Sequence, residues 1–180
     1  YAGAVAGLEL KTHGDSLLPT SGVEWNTFVI AARQMNGEED NYGQVTTALS
    51  FYITPTHNFT IANRIGGGHT IGKPAFFQQL FLGGNRNLRG YRNFRFGGES
   101  MAYHNLELRL KLFDFTSYLF PGTVGLTAFN DVGRVWAKHE DSNKWHHGYG
   151  GGFYLVPSKL VLVQALVGAS TEGVLPYVSI

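Results

Sequence analysis

The order of apolar and polar residues in this chain predicts an all-β protein, an antiparallel transmembrane β-barrel. Three observations carry the prediction. Period-two alternation recurs in one segment after another, with turn residues between. Only 15% of the 180 residues are charged while 14% are aromatic and 24 are Gly, against about a quarter charged in an ordinary soluble domain. The connections also tend to alternate between short turns and longer polar loops, the habit of barrels with short turns at one rim and long loops at the other. The longest apolar run, Leu160 to Ala169, contains Gln164 and falls short of the roughly 18 to 20 residues a membrane helix needs. A chain of this kind can cross a membrane only with strands.

The strands follow in order. Residues 2–12 alternate, with Ala2, Ala4, Ala6, Leu8 and Leu10 on one side and Gly3, Val5, Gly7, Glu9 and Lys11 on the other. Gly14-Asp15 and Pro19 to Gly22 turn the chain into a second strand at about 23–34, which ends in the polar turn 36–41. The third, about 42–54, sets Val45, Thr47, Leu49, Phe51 and Ile53 against Gln44, Thr46, Ala48, Ser50 and Tyr52. After Pro55 to Asn58 a fourth strand, 59–68, is expected to dissolve into Gly66-Gly-Gly68.

The fifth strand alternates most strictly, with His104, Leu106, Leu108, Leu110 and Leu112 opposite Tyr103, Asn105, Glu107, Arg109 and Lys111. A soluble sandwich would bury those leucines in a core, and a barrel would turn them to lipid with the charges in a wet lumen. The strand lengths favour the barrel. Pro121-Gly122 reads as a short turn before a sixth strand at 123–137, with Gly125, Thr127, Phe129, Asp131 and Gly133 on one face. Strands at about 145–156, 160–170 and 174–180 complete roughly nine. Trp25, Tyr118, Phe120, Trp136 and Trp145 fall near strand ends, where an aromatic girdle would lie.

Between the fourth and fifth strands runs a loop, about 73–99, whose glycines and aromatics do not suit a solvated linker. It carries Arg86, Arg89, Arg92 and Arg95 but only Glu99 as an acid. Guanidinium groups held in a folded loop need carboxylate or carbonyl partners. A loop tucked into the lumen would meet Glu107 and Asp131, which lie on the two faces assigned to the lumen. Gly90 would allow the turn that aims Arg89 and Tyr91. The competing reading leaves Glu107 and Arg109 as solvated lumen residues, and the pattern alone leaves both open.

Leu88-Arg89-Gly90-Tyr91 resembles the loop motif of the Omp85 superfamily of outer-membrane barrels. Phe129-Asn130-Asp131-Val132-Gly133 is similar to that family's Phe-x-Asp-x-Gly strand motif, and Leu106-Glu107-Leu108-Arg109 to the strand before it. The resemblance is specific over residues 80–180 and general over 1–72. It implies that the loop is a structural latch, with Arg89 paired to Asp131 and Glu107 and with Gly90, Tyr91, Phe129 and Gly133 in support. It implies a barrel of about sixteen strands, of which this chain would be the C-terminal portion, one domain over 1–180 with 73–99 as its lumen loop. The segment from Arg134 to Gly152 resembles the BamA/TamA-type surface antigens, some of which carry an N-terminal hydrolase.

The functional expectations follow from that resemblance. The barrel would sit in a Gram-negative outer membrane, contact its lipid, and assist insertion of nascent outer-membrane proteins or translocation of a secreted polypeptide, with accessory lipoproteins as further partners. The alternative is a non-catalytic anchor or exporter for an attached hydrolase, and a passive pore is the third reading. A net charge of +1 gives no reason to expect nucleic acid, and zero cysteines exclude disulfides and thiolate metal sites. No enzyme activity, cofactor or metal is expected of this chain. Gly66-Gly-Gly68 and Gly150-Gly-Gly152 lack the Lys-Ser/Thr and the helix of a phosphate loop. They read as glycines of curved strands, the second triplet making room for the tucked loop. His139, His146 and His147 read as residues of a surface loop, since neighbours on a strand point to opposite faces.

Overall fold

The computed structural model of the chain describes residues 2–14, 17–33, 41–72, 74–116, 121–137 and 143–180. The turns expected at 36–41 and 116–122 and the loop expected at 138–144 lie partly or largely outside these residues, as do Asp15, Tyr118, Phe120 and His139. The alternating segments form β1 (Ala2–Lys11), β2 (Gly22–Arg33), β3 (Tyr42–Thr56) and β4 (Phe59–Gly72), then β5 (Leu80–Leu82) and β6 (Phe96–Gly98) within the long loop. β7 (Ser100–Thr116), β8 (Pro121–Trp136), β9 (His146–Pro157), β10 (Val163–Ser170) and β11 (Gly173–Ser179) follow. Nine of them make one sheet in the order β1-β2-β3-β4-β7-β8-β9-β10-β11, every neighbour antiparallel. The fold is thus the all-β antiparallel sheet that the alternation predicts, a nine-stranded part of a barrel wall. β1 and β11 are free edges, so the sheet is open.

Burial gives the sheet an inside and an outside. Ala48, Ser50, Thr60, Ala62, Tyr103, Thr127, Phe129, Asp131, Tyr154 and Leu166 are buried on one face. The other face shows Leu49, Ile53, Ile65, Leu110, Phe153, Val167 and Val178 to the surroundings. That inversion of the soluble pattern, apolar outside and polar inside, is what a wall in hydrocarbon requires. Trp25 on β2 lies near the rim opposite Trp136 and Trp145, whose rings meet edge to face at 6.3 Å.

Several expectations are corrected. β4 does not dissolve at Gly66-Gly-Gly68 but pairs on through them, Gly66 with Tyr103, Gly67 with Ala102 and Gly68 with Met101. A glycine backbone keeps the ladder, and a Cβ at Gly66 would strike the buried Tyr103 ring. β7 runs longer than 103–112, with a bulge between Lys111 and Phe113 that puts Phe113 beside Val124. Pro121 and Gly122 are the first residues of β8 rather than a turn, and a missing N–H is tolerated at a strand's start. β10 begins at Val163, later than expected, because Ser158 and Lys159 take positive φ of 52° and 58° and turn the chain first. The length rule for connections also fails at two places: 12–21 joins β1 to β2 at the rim of the short turns, and the two residues 171–172 join β10 to β11 at the rim of the long loops.

The long loop is not irregular throughout. It holds a 3₁₀ turn at Phe76–Gln78 and the hairpin of β5 and β6, in which Phe81 faces Gly97. The hairpin lies on the inner faces of β7 and β8, where Leu82, Leu88, Tyr91 and Tyr103 form a small buried cluster. Gly133 makes this possible, since a Cβ there would come within 2.9 Å of Leu82.

Candidate functional site

The tip of the hairpin is tied to itself before it is tied to the wall. Asn87 accepts from the Gly83 N–H at 3.0 Å through Oδ1 and donates to the Phe81 carbonyl at 3.0 Å through Nδ2. Gly84 N–H bonds the Tyr91 carbonyl at 3.1 Å and closes the bend. Gly90 has φ of 97°, a conformation that glycine adopts without strain. The bend places the Arg89 side chain and the Tyr91 ring on different supports.

Arg89 meets Asp131 in a two-pronged fork. Nε donates to Oδ2 at 2.8 Å and Nη2 to Oδ1 at 2.8 Å, while the Arg89 backbone N–H adds a bond to Oδ2 at 2.9 Å. Nη1 donates to Glu107 Oε2 at 2.6 Å, and Glu107 Oε1 takes the Nε of Arg109 at 2.7 Å. The guanidinium carbon lies 3.9 Å from the centre of the Phe129 ring, a cation–π contact that fills one flat face. Asp131 is fully buried and Arg89 nearly so. Burial by itself would lower the Arg89 pKa. The hydrogen bond and charge of Asp131, and then Glu107, outweigh it and hold the guanidinium above its ordinary value. Arg89 and Arg109 balance Asp131 and Glu107, so the network is neutral.

A second set of contacts comes from β10, β11 and the turn between them. Tyr177 Oη accepts from the Gly90 N–H at 2.8 Å and donates to the Tyr91 carbonyl at 2.8 Å. Ser170 Oγ donates to the Gly90 carbonyl at 2.7 Å. The Tyr91 hydroxyl lies 3.3 Å from both the His147 carbonyl and Thr171 Oγ1. Its ring packs edge to face on Phe96. Backbone contact with the loop is allowed by Gly148, where a Cβ would collide with the Arg89 carbonyl, and by Gly168, where it would stand 2.8 Å from the Gly90 nitrogen.

The structure therefore brings together Arg89, Gly90, Tyr91, Glu107, Asp131, Phe129 and Gly133, each in contact with the loop or part of it. Sequence reasoning missed Tyr177, Ser170, Asn87 and Gly148. Asn87 could have been suspected from the Gly-Gly-Asn-Arg-Asn tip, whereas nothing local marks Tyr177. The room expected from Gly150 to Gly152 is found elsewhere, since Gly150 meets Phe129 and its β10 neighbour while Gly148 meets the loop. His146 and His147 begin β9 rather than sit in a loop, and the His146 ring stacks on Phe96 at 3.7 Å.

An antiparallel wall, apolar outside, with an arginine loop fastened to its inner face, defines a membrane β-barrel with an inward-folded loop. Residues 5–157 match the model of the Omp85 superfamily domain, and the chain belongs to this superfamily of outer-membrane barrels that insert or translocate proteins. No curated protein matches the chain.

Proposed function

We propose that this chain is the C-terminal portion of a BamA/TamA-type barrel, a single unit over 1–180, in which loop 73–99 is a latch closing the lumen. Arg89, Asp131 and Glu107 form its charge lock, with Gly90, Tyr91, Phe129 and Gly133 shaping the seat. The whole protein assists insertion of outer-membrane proteins or passage of a polypeptide across a Gram-negative outer membrane, alongside accessory lipoproteins. Its partners are outer-membrane lipid and extended polypeptides, and no residue of this chain is given a catalytic role.

The observation that carries the reading is the three-bond grip of Asp131 on Arg89 inside the wall. A loop glued by apolar packing alone could settle in many registers. Buried charges leave only seatings that satisfy every donor, since a stranded one costs about 3–5 kcal/mol. Arg89→Ala in the full-length protein in lipid vesicles tests this. Loss of heat stability and of reporter-barrel insertion is expected. If both survive, the latch role fails. If only stability falls, the loop is a brace without an assembly role, and an anchor for an attached hydrolase gains ground.

A further inference from the structure

Arginine partners are unevenly distributed around the latch tip. Arg89 and Arg109 share Asp131 and Glu107, and Arg95 bonds Glu172 at 2.9 Å. Arg64 and Arg86 have no carboxylate among the described residues. Arg64 Nη1 donates to the Arg86 carbonyl at 3.2 Å, and its guanidinium carbon lies 5.4 Å from the centre of the Tyr103 ring. Both side chains are exposed.

The two arginines line one cavity of about 260 Å³ that also reaches Arg89, Arg109 and Glu107. Each Glu107 oxygen already faces an arginine, Oε2 that of Arg89 and Oε1 that of Arg109. With the locked network neutral, Arg64 and Arg86 leave the cavity two positive charges in surplus. Guanidinium forks match the two oxygens of a carboxylate or phosphate. The cavity's remaining wall includes Leu17, Leu18 and Leu162, which suits a carbon chain beside the oxyanion. Liquid water takes roughly 30 Å³ per molecule, so there is room for a side chain with its backbone as well as for a small ion.

We propose that Arg64 and Arg86 form an oxyanion site under the latch tip, and that it takes side-chain carboxylates of an acidic polypeptide segment lying in the lumen. The identity of the ligand rests on the polypeptide-handling function proposed above; the oxyanion chemistry does not. Neither arginine belongs to the charge lock, so the site can be removed with the lock left in place.

The test uses the full-length protein in detergent and three probes: a short Asp/Glu peptide, its Asn/Gln twin, and inorganic phosphate, each followed by titration calorimetry. The acidic peptide is expected to bind and the amide twin to fail. Arg86→Gln is expected to weaken binding about tenfold, as for loss of one charge-assisted bond, and Arg64→Gln/Arg86→Gln to abolish it. Thermal unfolding of the single variant should match wild type, which separates loss of the site from loss of fold. Phosphate binding that both arginines control, without peptide binding, would keep the oxyanion site and overturn the polypeptide ligand. Binding of neither probe, or binding indifferent to both arginines, would overturn the site. Because binding is read at equilibrium without any assembly reaction, its failure is distinct from failure of the assembly function.

Discussion

Asp131 holds Arg89 by three hydrogen bonds, two from the guanidinium and one from the arginine's own backbone N–H, at 2.8 to 2.9 Å. The backbone bond fixes where the chain passes, and the fork fixes how the side chain leaves it. Arg89→Lys keeps the charge but has a single ammonium to offer where three side-chain bonds stood. It is expected to lose about 2–3 kcal/mol, by the loss of charge-assisted bonds, in urea unfolding of the full-length protein in detergent. A loss below the error of the fit would show that charge alone is enough.

The raised pKa of Arg89 makes a statement about pH. A base whose folded pKa lies above its unfolded value contributes stability that is complete below the unfolded pKa and is lost as pH rises through the folded one. For an arginine the unfolded value already lies far to the alkaline side of any pH at which unfolding is followed. The stability gap between wild type and Arg89→Ala is therefore expected to stay constant from about pH 7 to 10. A gap that closes within that range would mean the guanidinium is not the group that matters.

Tyr177 supplies one hydroxyl to two backbone groups at the bend, as the acceptor for the Gly90 N–H and as a second donor to the Tyr91 carbonyl, which also takes the Gly84 N–H. Tyr177→Phe keeps the ring and strands the Gly90 N–H, at a cost of about 1–3 kcal/mol, while the Tyr91 carbonyl keeps the Gly84 N–H. Amide exchange at Gly90 should speed up while exchange in β3 stays as it was. Unchanged exchange at Gly90 would show that water replaces the hydroxyl at no cost.

Gly148→Ala places a methyl group against the Arg89 carbonyl. Overpacking of this kind costs about 1–3 kcal/mol, and the latch rather than β9 should yield, since the strand is paired on both sides. Faster protease cleavage within 83–95, with the wall intact, is the expected reading. By contrast, the exposed pair of Arg95 and Glu172 should contribute about 0–1 kcal/mol, and Glu172→Gln should unfold like wild type.

The wall was legible because its signal is local. Alternation in Tyr103 to Lys111 and in Gly125 to Gly133 marks both faces without knowledge of their neighbours. The charge pairing was partly legible, since four loop arginines with one acid must look elsewhere, and Glu107 and Asp131 stood on the faces assigned to the lumen. The hairpin inside the loop was not, because three-residue strands such as Leu80–Leu82 are too short to show a period. Tyr177 was hidden for another reason. Its partners lie 86 and 87 residues away and are backbone groups, so no residue type advertises them. Gly148 was hidden because a lone glycine beside the Gly150 to Gly152 triplet carries no signal of its own, and the close approach to the loop falls there, two residues before the triplet.

The charge lock is tested most directly by a double-mutant cycle on Arg89→Ala and Asp131→Ala, read by equilibrium unfolding of the full-length protein in detergent. Each single variant leaves an opposite charge stranded in the wall and is expected to cost about 3–5 kcal/mol, while the double variant should cost no more than either. Strictly additive losses would contradict the lock, because they would mean that the two residues act on the latch independently.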